Sequence, residues 1–332
     1  MSPRRLGTEG PTLGALGLGC WAVGGPTTGD SGRTIGWGPV DDAASISAIQ
    51  RAFELGVRFF DTADSYGAGH SERLLARALA GHRDEAVIAT KFGHTFDDDG
   101  SRRSRGVDVN PAYVRSACQA SLRRLEREAI DLYQLHVGVL DDAVADAVVE
   151  ELESLQRDGL IRHFGWSADV PSQAERWADR GTCSALQFAC NVFEDKPEFF
   201  ALCERSSMTA IIRSPLASGF LSGKYGPDST LPATDWRAQA LELGWGDLFT
   251  AEGGASPKWL AKLDALREIL SSDGRSLVQG ALAWLWARSP NAVPIPGFKT
   301  VAQVEENVGA IRFGPLSAQQ LAEIDTLMHQ PQ

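Results

Sequence analysis

Apolar positions along the chain follow two alternating rhythms. Short runs dense in Val, Ile, Leu and Phe alternate with longer segments whose apolar residues recur every three or four positions. In 41–56, Ile46, Ile49 and Phe53 form one helical stripe, an aspartate can cap its start, and Gly56 sits where a helix stops. VRFF follows as a strand ending at Asp61. Ser71 starts a helix carrying Leu74, Leu75, Ala78 and Leu79, and AVIAT then reads as a strand ending at Lys91. Asn110 and Pro111 open a helix to about Glu128. IDLYQL ends at His136, a helix spans roughly Asp142 to Arg157 until Gly159, and IRHFGW ends at Ser167. SALQF ends near Asn191, MTAIIR at Ser214 and AVPIP at Gly297.

With LGALGLGC near the start, this makes eight strand–helix units. They predict an α/β chain folded as a (β/α)8 TIM barrel rather than an open doubly wound sheet, with all 332 residues in one domain. Residues 226–256, rich in Gly, Pro, Asp, Thr and Trp, predict a long loop after the seventh strand, one that orders when a ligand binds. Ser317 and Gln320 predict a capping box opening the last helix. Gly17, Gly19 and Ala22 match a dinucleotide fingerprint, G-x-G-x-x-A. That motif requires a helix next, and AVGGPTTGDSGRTIGWG cannot open one.

Charge narrows the partners. A net charge of −11 argues against a nucleic-acid surface and against an anionic membrane. The five cysteines show no zinc spacing, so no metal site is expected and reduced thiols are. The N-terminal MSPRRLGTEG has no apolar signal segment, and no apolar run is long enough to span a bilayer; a cytoplasmic protein is expected.

In such a barrel, the C-terminal strand ends build the active site. Here they carry Asp61, Lys91, His136, Ser167, Gln187, Asn191, Arg213 and Ser214, with Tyr66 just past Asp61. An ammonium beside a phenol favours the phenolate and makes the phenol a better acid, and a buried ammonium needs a carboxylate to stay charged. A neutral imidazole can hold a carbonyl oxygen. These groups suit carbonyl reduction, and since no side chain supplies hydride, a nicotinamide or flavin is implied.

The stretches FFDTADSYGAGHSERLLARAL, AVIATKFG, DLYQLH, SPLASGFLSGKYG and PIPGFKTVAQVEENVGA, in this order, resemble the aldo-keto reductases over about residues 4–328. The resemblance implies a small-molecule aldehyde or ketone as substrate, NADPH as cofactor, and an N-terminal β-hairpin, RRLGTEGPTLGALGLG, closing the barrel bottom. It implies Asp61, Tyr66, Lys91 and His136 as catalytic residues, with Tyr66 the general acid. Ser167 and Gln187 match holders of the nicotinamide carboxamide, with Gly19 and Trp21 near that end. Ser214, Leu216, Ser218, Gly219, Leu221 and Lys224 match the pyrophosphate loop. Gly297, Lys299, Thr300 and Gln303 match the 2′-phosphate segment, and Glu306 and Asn307 the adenine contacts. Lys299 favours NADPH over NADH.

Three positions depart from the family pattern. Ala168 replaces an asparagine, with Asp169 beside it to take over its contact. Arg213 replaces the aromatic that stacks on the nicotinamide, and its planar guanidinium can stack instead. VGVLDD follows His136 in place of the frequent motif with Pro and Asp. Trp21, Phe92 and Trp166 are candidates for an apolar substrate wall, and Trp37 and Trp236 for covering loops. The alternative to a reductase is a non-catalytic or weakly catalytic NADP(H)-binding redox-sensing or regulatory subunit of the same fold.

Overall fold

A computed structural model describes residues 4–29, 31–97, 100–179 and 182–329. The strand–helix alternation is realised as β1 (Leu18–Gly19), α1 (Asp42–Glu54), β2 (Phe59–Asp61), α2 (His70–Ala78) and β3 (Val87–Phe92). A hairpin of β4 (His94–Phe96) and β5 (Ser104–Val107) precedes α3 (Pro111–Leu125), β6 (Ile130–Leu135), α4 (Asp142–Arg157) and β7 (Ile161–Ser167). The chain continues through α5 (Pro171–Asp179), β8 (Ala185–Ala189), α6 (Pro197–Arg205), β9 (Thr209–Arg213), α7 (Pro257–Leu270), α8 (Leu277–Arg288), β10 (Ala292–Pro294), α9 (Val301–Gly309) and α10 (Ala318–His329).

Eight strands form one parallel sheet in the order β1-β2-β3-β6-β7-β8-β9-β10. The ends approach one another through a Gly19–Gly297 bridge, with Gly17 N donating to Pro294 O at 3.0 Å and Gly19 N to Pro296 O at 3.1 Å. This closure explains the G-x-G stretch that mimics a dinucleotide fingerprint. A Cβ on Gly17 would lie 2.4 Å from the Phe59 ring, and one on Gly19 2.8 Å from Ile295 O. The glycines serve barrel closure, and a short 3-10 turn, Ala22–Gly24, follows them.

Side chains alternate across each strand. Phe59, Ala89, Leu132, Ala185, Ile211 and Val293 fill the barrel interior together with Leu6 and Leu13 of the N-terminal segment. That segment is a small hairpin: Leu13 N donates to Arg4 O and Leu6 N to Pro11 O. Gly7 N donates to Thr209 Oγ1 at the start of β9, which places the hairpin at the barrel bottom as expected. The opposite face of each strand packs against the helices around Phe60, Tyr133, Phe164 and Phe188.

The predicted boundaries hold closely. Asp41 caps α1, accepting from Ala43 N and Ala44 N. Ser317 and Gln320 form the reciprocal capping box. Residues 226–256 form a long connection before α7, regular only at the turn Trp236–Gln239. The β4–β5 hairpin was not legible, because its strands are three and four residues long and none of their residues is fully buried.

Candidate active site

The site is built on β2, β3 and β6, where inward-facing alternation meets the C-terminal strand ends. Lys91 Nζ lies 2.5 Å from Asp61 Oδ1, 2.8 Å from Thr62 O and 3.2 Å from Tyr66 Oη. Asp61 Oδ2 accepts from Gln187 Nε2 at 2.7 Å and Gln134 Nε2 at 3.1 Å. Both oxygens of this buried carboxylate are therefore satisfied, and the pair with Lys91 is fixed from two sides. Gln134 was missed as a site residue, yet it lies two positions before His136 and so on the same face of β6.

Tyr66 follows β2 on a tight turn. Gly67 adopts φ 64°, and a Cβ there would lie 2.1 Å from Gly24 O, so glycine is required beside the tyrosine. The His136 ring stands at 84° to the Tyr66 ring with centroids 5.9 Å apart. His94 from β4 stands at 84° to His136, 5.0 Å away. It is a neighbour that the unrecognised hairpin supplies.

Burial sets the protonation states. It would drain the proton from Lys91, but Asp61 and Tyr66 more than offset this and hold its pKa above the ordinary lysine value. Burial pushes the Tyr66 phenol above its ordinary range; Lys91 and Arg213 pull it down without overturning that, and Asp61 adds to the rise. Lys91 thus acts in the expected direction, making Tyr66 a stronger acid than burial alone would leave it, but desolvation outweighs it and the net shift is upward. His136 is held well below the ordinary imidazole value by burial first, then by Lys91, His94 and Arg213, so its ring is neutral. Its Nδ1 is buried and has no hydrogen-bond partner among the described residues.

Two expected wall residues lie elsewhere. Phe92 and Trp166 are both 0% exposed. They follow Lys91 and precede Ser167 by one residue, and this single step turns them to the helix side. Phe92 stacks on Tyr133, and Trp166 packs on Trp177 while its Nε1 donates to Val137 O at 2.7 Å. Trp21 remains at the mouth, its ring 6.0 Å from Tyr66 and stacked on Trp236 at 5.4 Å; Trp37 meets both edge-on.

Around this centre stand the other expected residues. Ser167 is buried at the end of β7 and Gln187 in the middle of β8, where its amide is already engaged with Asp61. Arg213 at the end of β9 makes a close ion pair with Asp169. Ser214 has φ 53°, and beyond it Ala217, Ser218 and Gly219 take consecutive φ values of 47°, 54° and 85°. Leu216 precedes that turn, and Leu221 is buried beneath it. Lys224 is exposed just after it.

Trp236 N donates to Gly36 O at 3.0 Å, tying the long connection to the β1–α1 loop. Arg237 clamps the same connection, bonding Asp235 through Nε at 2.9 Å and Nη2 at 2.6 Å, and Ser218 O and the Tyr225 hydroxyl through Nη1 at 2.9 and 2.6 Å. Lys299 donates to Trp37 O at 2.7 Å, and burial lowers its pKa, opposed by Asp235 and reinforced by Arg237 and Lys224. Thr300 caps α9, Gln303 Oε1 accepts from Lys299 N, and Asn307 Nδ2 bonds Gly297 O; Glu306 lies on the same helix.

The sequence profile of the Aldo/keto reductase family matches residues 15–329. The chain belongs to the aldo/keto reductase family. This makes it an oxidoreductase by class. A family relative from Schizosaccharomyces pombe, an aldo-keto reductase whose name specifies NADP(+), is 28% identical, with 93% of this chain and 86% of that one covered. Among solved structures, the glycerol dehydrogenase of Gluconobacter oxydans is 29% identical with a TM-score of 0.81, covering 98% of this chain and 94% of that chain. The holo form of an aldo-keto reductase from Bacillus halodurans is 27% identical with a TM-score of 0.78, covering 98% and 96%. Among the described residues, no helix is long and apolar enough to cross a membrane.

Proposed function

We propose that this protein reduces the carbonyl of a small aldehyde or ketone to an alcohol, reversibly, with NADPH, and that Tyr66 supplies the proton. The carrying observation is Lys91 Nζ, which touches both the Asp61 carboxylate and the Tyr66 hydroxyl. The residues present fit a dinucleotide. Non-glycine residues in the left-handed region cost of order 1–3 kcal/mol each and persist where the surroundings demand them. The run from Ala217 to Gly219 forms such a turn, and successive amides in turns of this kind cradle phosphates.

Ser214, Leu216, Ser218, Gly219, Leu221 and Lys224 would hold the pyrophosphate. Gly297, Lys299, Thr300 and Gln303 would hold the 2′-phosphate, with Glu306 and Asn307 at the adenine. Gly19, Trp21, Ser167, Gln187 and Arg213 border the nicotinamide position. When bound, the reduced nicotinamide supplies the hydride that no side chain can. His136, neutral, orients the carbonyl oxygen; Tyr66 donates its proton to the forming alkoxide; Lys91, kept charged by Asp61, stabilises the phenolate left behind.

NADPH oxidation over a panel of simple aldehydes, compared with fluorescence titration of NADPH binding, tests this. Tyr66→Phe is expected to lose carbonyl reduction by about 10²-fold or more while still binding NADPH. Near wild-type turnover in that variant would overturn the mechanism.

A further inference from the structure

Arg213 and Asp169 form a charged pair at the rim of the site, joining the end of β9 to the segment after β7. Asp169 is itself held, since its Oδ1 accepts from Ala189 N at 3.3 Å at the end of β8. One carboxylate thus ties three neighbouring strand ends. Arg213 lies two residues after Ile211, which faces the barrel interior, and so leaves β9 on the same face, at the C-terminal end where Tyr66 and His136 stand. The guanidinium is delocalised and always charged, so no change of protonation can relieve an unfavourable neighbour.

We infer that Asp169 is a positioning residue that holds Arg213 against the nicotinamide site and neutralises it, and that this pair sets the balance between oxidised and reduced cofactor. The inference rests on the proposed placement of the nicotinamide beside Arg213. The oxidised ring is a cation and the reduced ring is neutral. An uncompensated guanidinium beside it penalises the oxidised form alone, and the Asp169 carboxylate cancels that penalty. The reversible reaction needs both forms to bind, which an unpaired arginine would oppose. An aromatic at this position carries no net charge; an arginine with its own aspartate reproduces a planar surface of near-zero net charge.

The pair is partly solvated, with side-chain exposures of 35% and 48%, so the effect is that of charges largely screened by water. An interaction of this kind changes a binding ratio on the order of fivefold.

The test is the ratio of dissociation constants for NADP(+) and NADPH, measured on the full chain by intrinsic fluorescence quenching at low salt. Asp169→Asn leaves a net positive rim and is expected to raise the NADP(+)/NADPH ratio about fivefold. Arg213→Gln leaves a net negative rim and is expected to lower it. The double variant is neutral and should return towards wild type, and Asp169→Glu should keep the wild-type ratio. A purely structural role would weaken both ligands together and cannot shift the ratio in opposite directions. If wild type binds both forms and the single variants leave the ratio unchanged, or move it the same way, the inference is wrong and the cofactor assignment stands. If wild type binds neither form, the cofactor assignment itself fails and takes this inference with it.

Discussion

Asp61 and Lys91 form an ion pair of 2.5 Å in which the side chains are 3% and 0% exposed. Such a pair is not a cheap source of stability, because both charges are stripped of water, but breaking it from one side leaves a bare charge. Asp61→Asn therefore strands the Lys91 ammonium and is expected to cost about 3–5 kcal/mol. Thermal and urea unfolding would read this as a lower midpoint, and a variant as stable as wild type would contradict the pairing.

The neutral state of His136 gives stability a pH dependence of definite sign. Its folded pKa is well below 6.5, so below that value the unfolded chain takes up a proton the folded chain refuses. The site's contribution is intact above pH ~6.5 and is lost as pH falls below it. His136→Gln should flatten that acid-side decline in melting temperature. His94 and His163 are also depressed, each chiefly by burial, so part of the slope should remain.

Trp166 separates packing from substrate contact. Because it lies on the helix side of β7 against Trp177, Trp166→Ala is expected to destabilise by about 3–5 kcal/mol. The KM for a small aldehyde should stay within about twofold where the variant is folded. A large KM change at unchanged melting temperature would place the ring in the pocket after all.

Arg237 holds the long connection closed with Asp235, Ser218 and Tyr225. Replacing it by methionine leaves Asp235 buried without its cation, a loss of about 3–5 kcal/mol that falls on this connection. Limited proteolysis should then cut within 226–256 markedly faster than in wild type, and NADPH should slow the cutting. Equal cleavage of variant and wild type would show that other contacts close the segment.

In the proposed cofactor placement Lys299 would offer the 2′-phosphate a cation, one that donates to Trp37 O. A charge-assisted hydrogen bond contributes about 1.5–3 kcal/mol, so Lys299→Met is expected to weaken NADPH binding about 10–100-fold and NADH binding hardly at all. Parallel titrations of the two cofactors check this directly.

What the sequence by itself determined is whatever depends on local period and local end signals. Alternating runs and helical stripes are read within a dozen residues, and they delivered eight units, the strand ends at Asp61, Lys91 and His136, and the cap at Ser317. The same period of two also assigns faces. Phe92 and Trp166, each one step from an inward residue, had to face the helices, and Gln134, two steps from His136, had to face the site. Tertiary structure alone decided the rest, because those features join residues distant along the chain. Closure of the barrel turned a Gly-x-Gly stretch into a steric requirement against Phe59 and Ile295. The hairpin that brings His94 to His136 is too short and too little buried to leave a periodic signal. The protonation of Tyr66 depends on how much water the whole fold removes relative to the charge Lys91 supplies, and burial won. The pairing of Arg213 with Asp169, 44 residues apart, arises only when three strand ends meet at one rim.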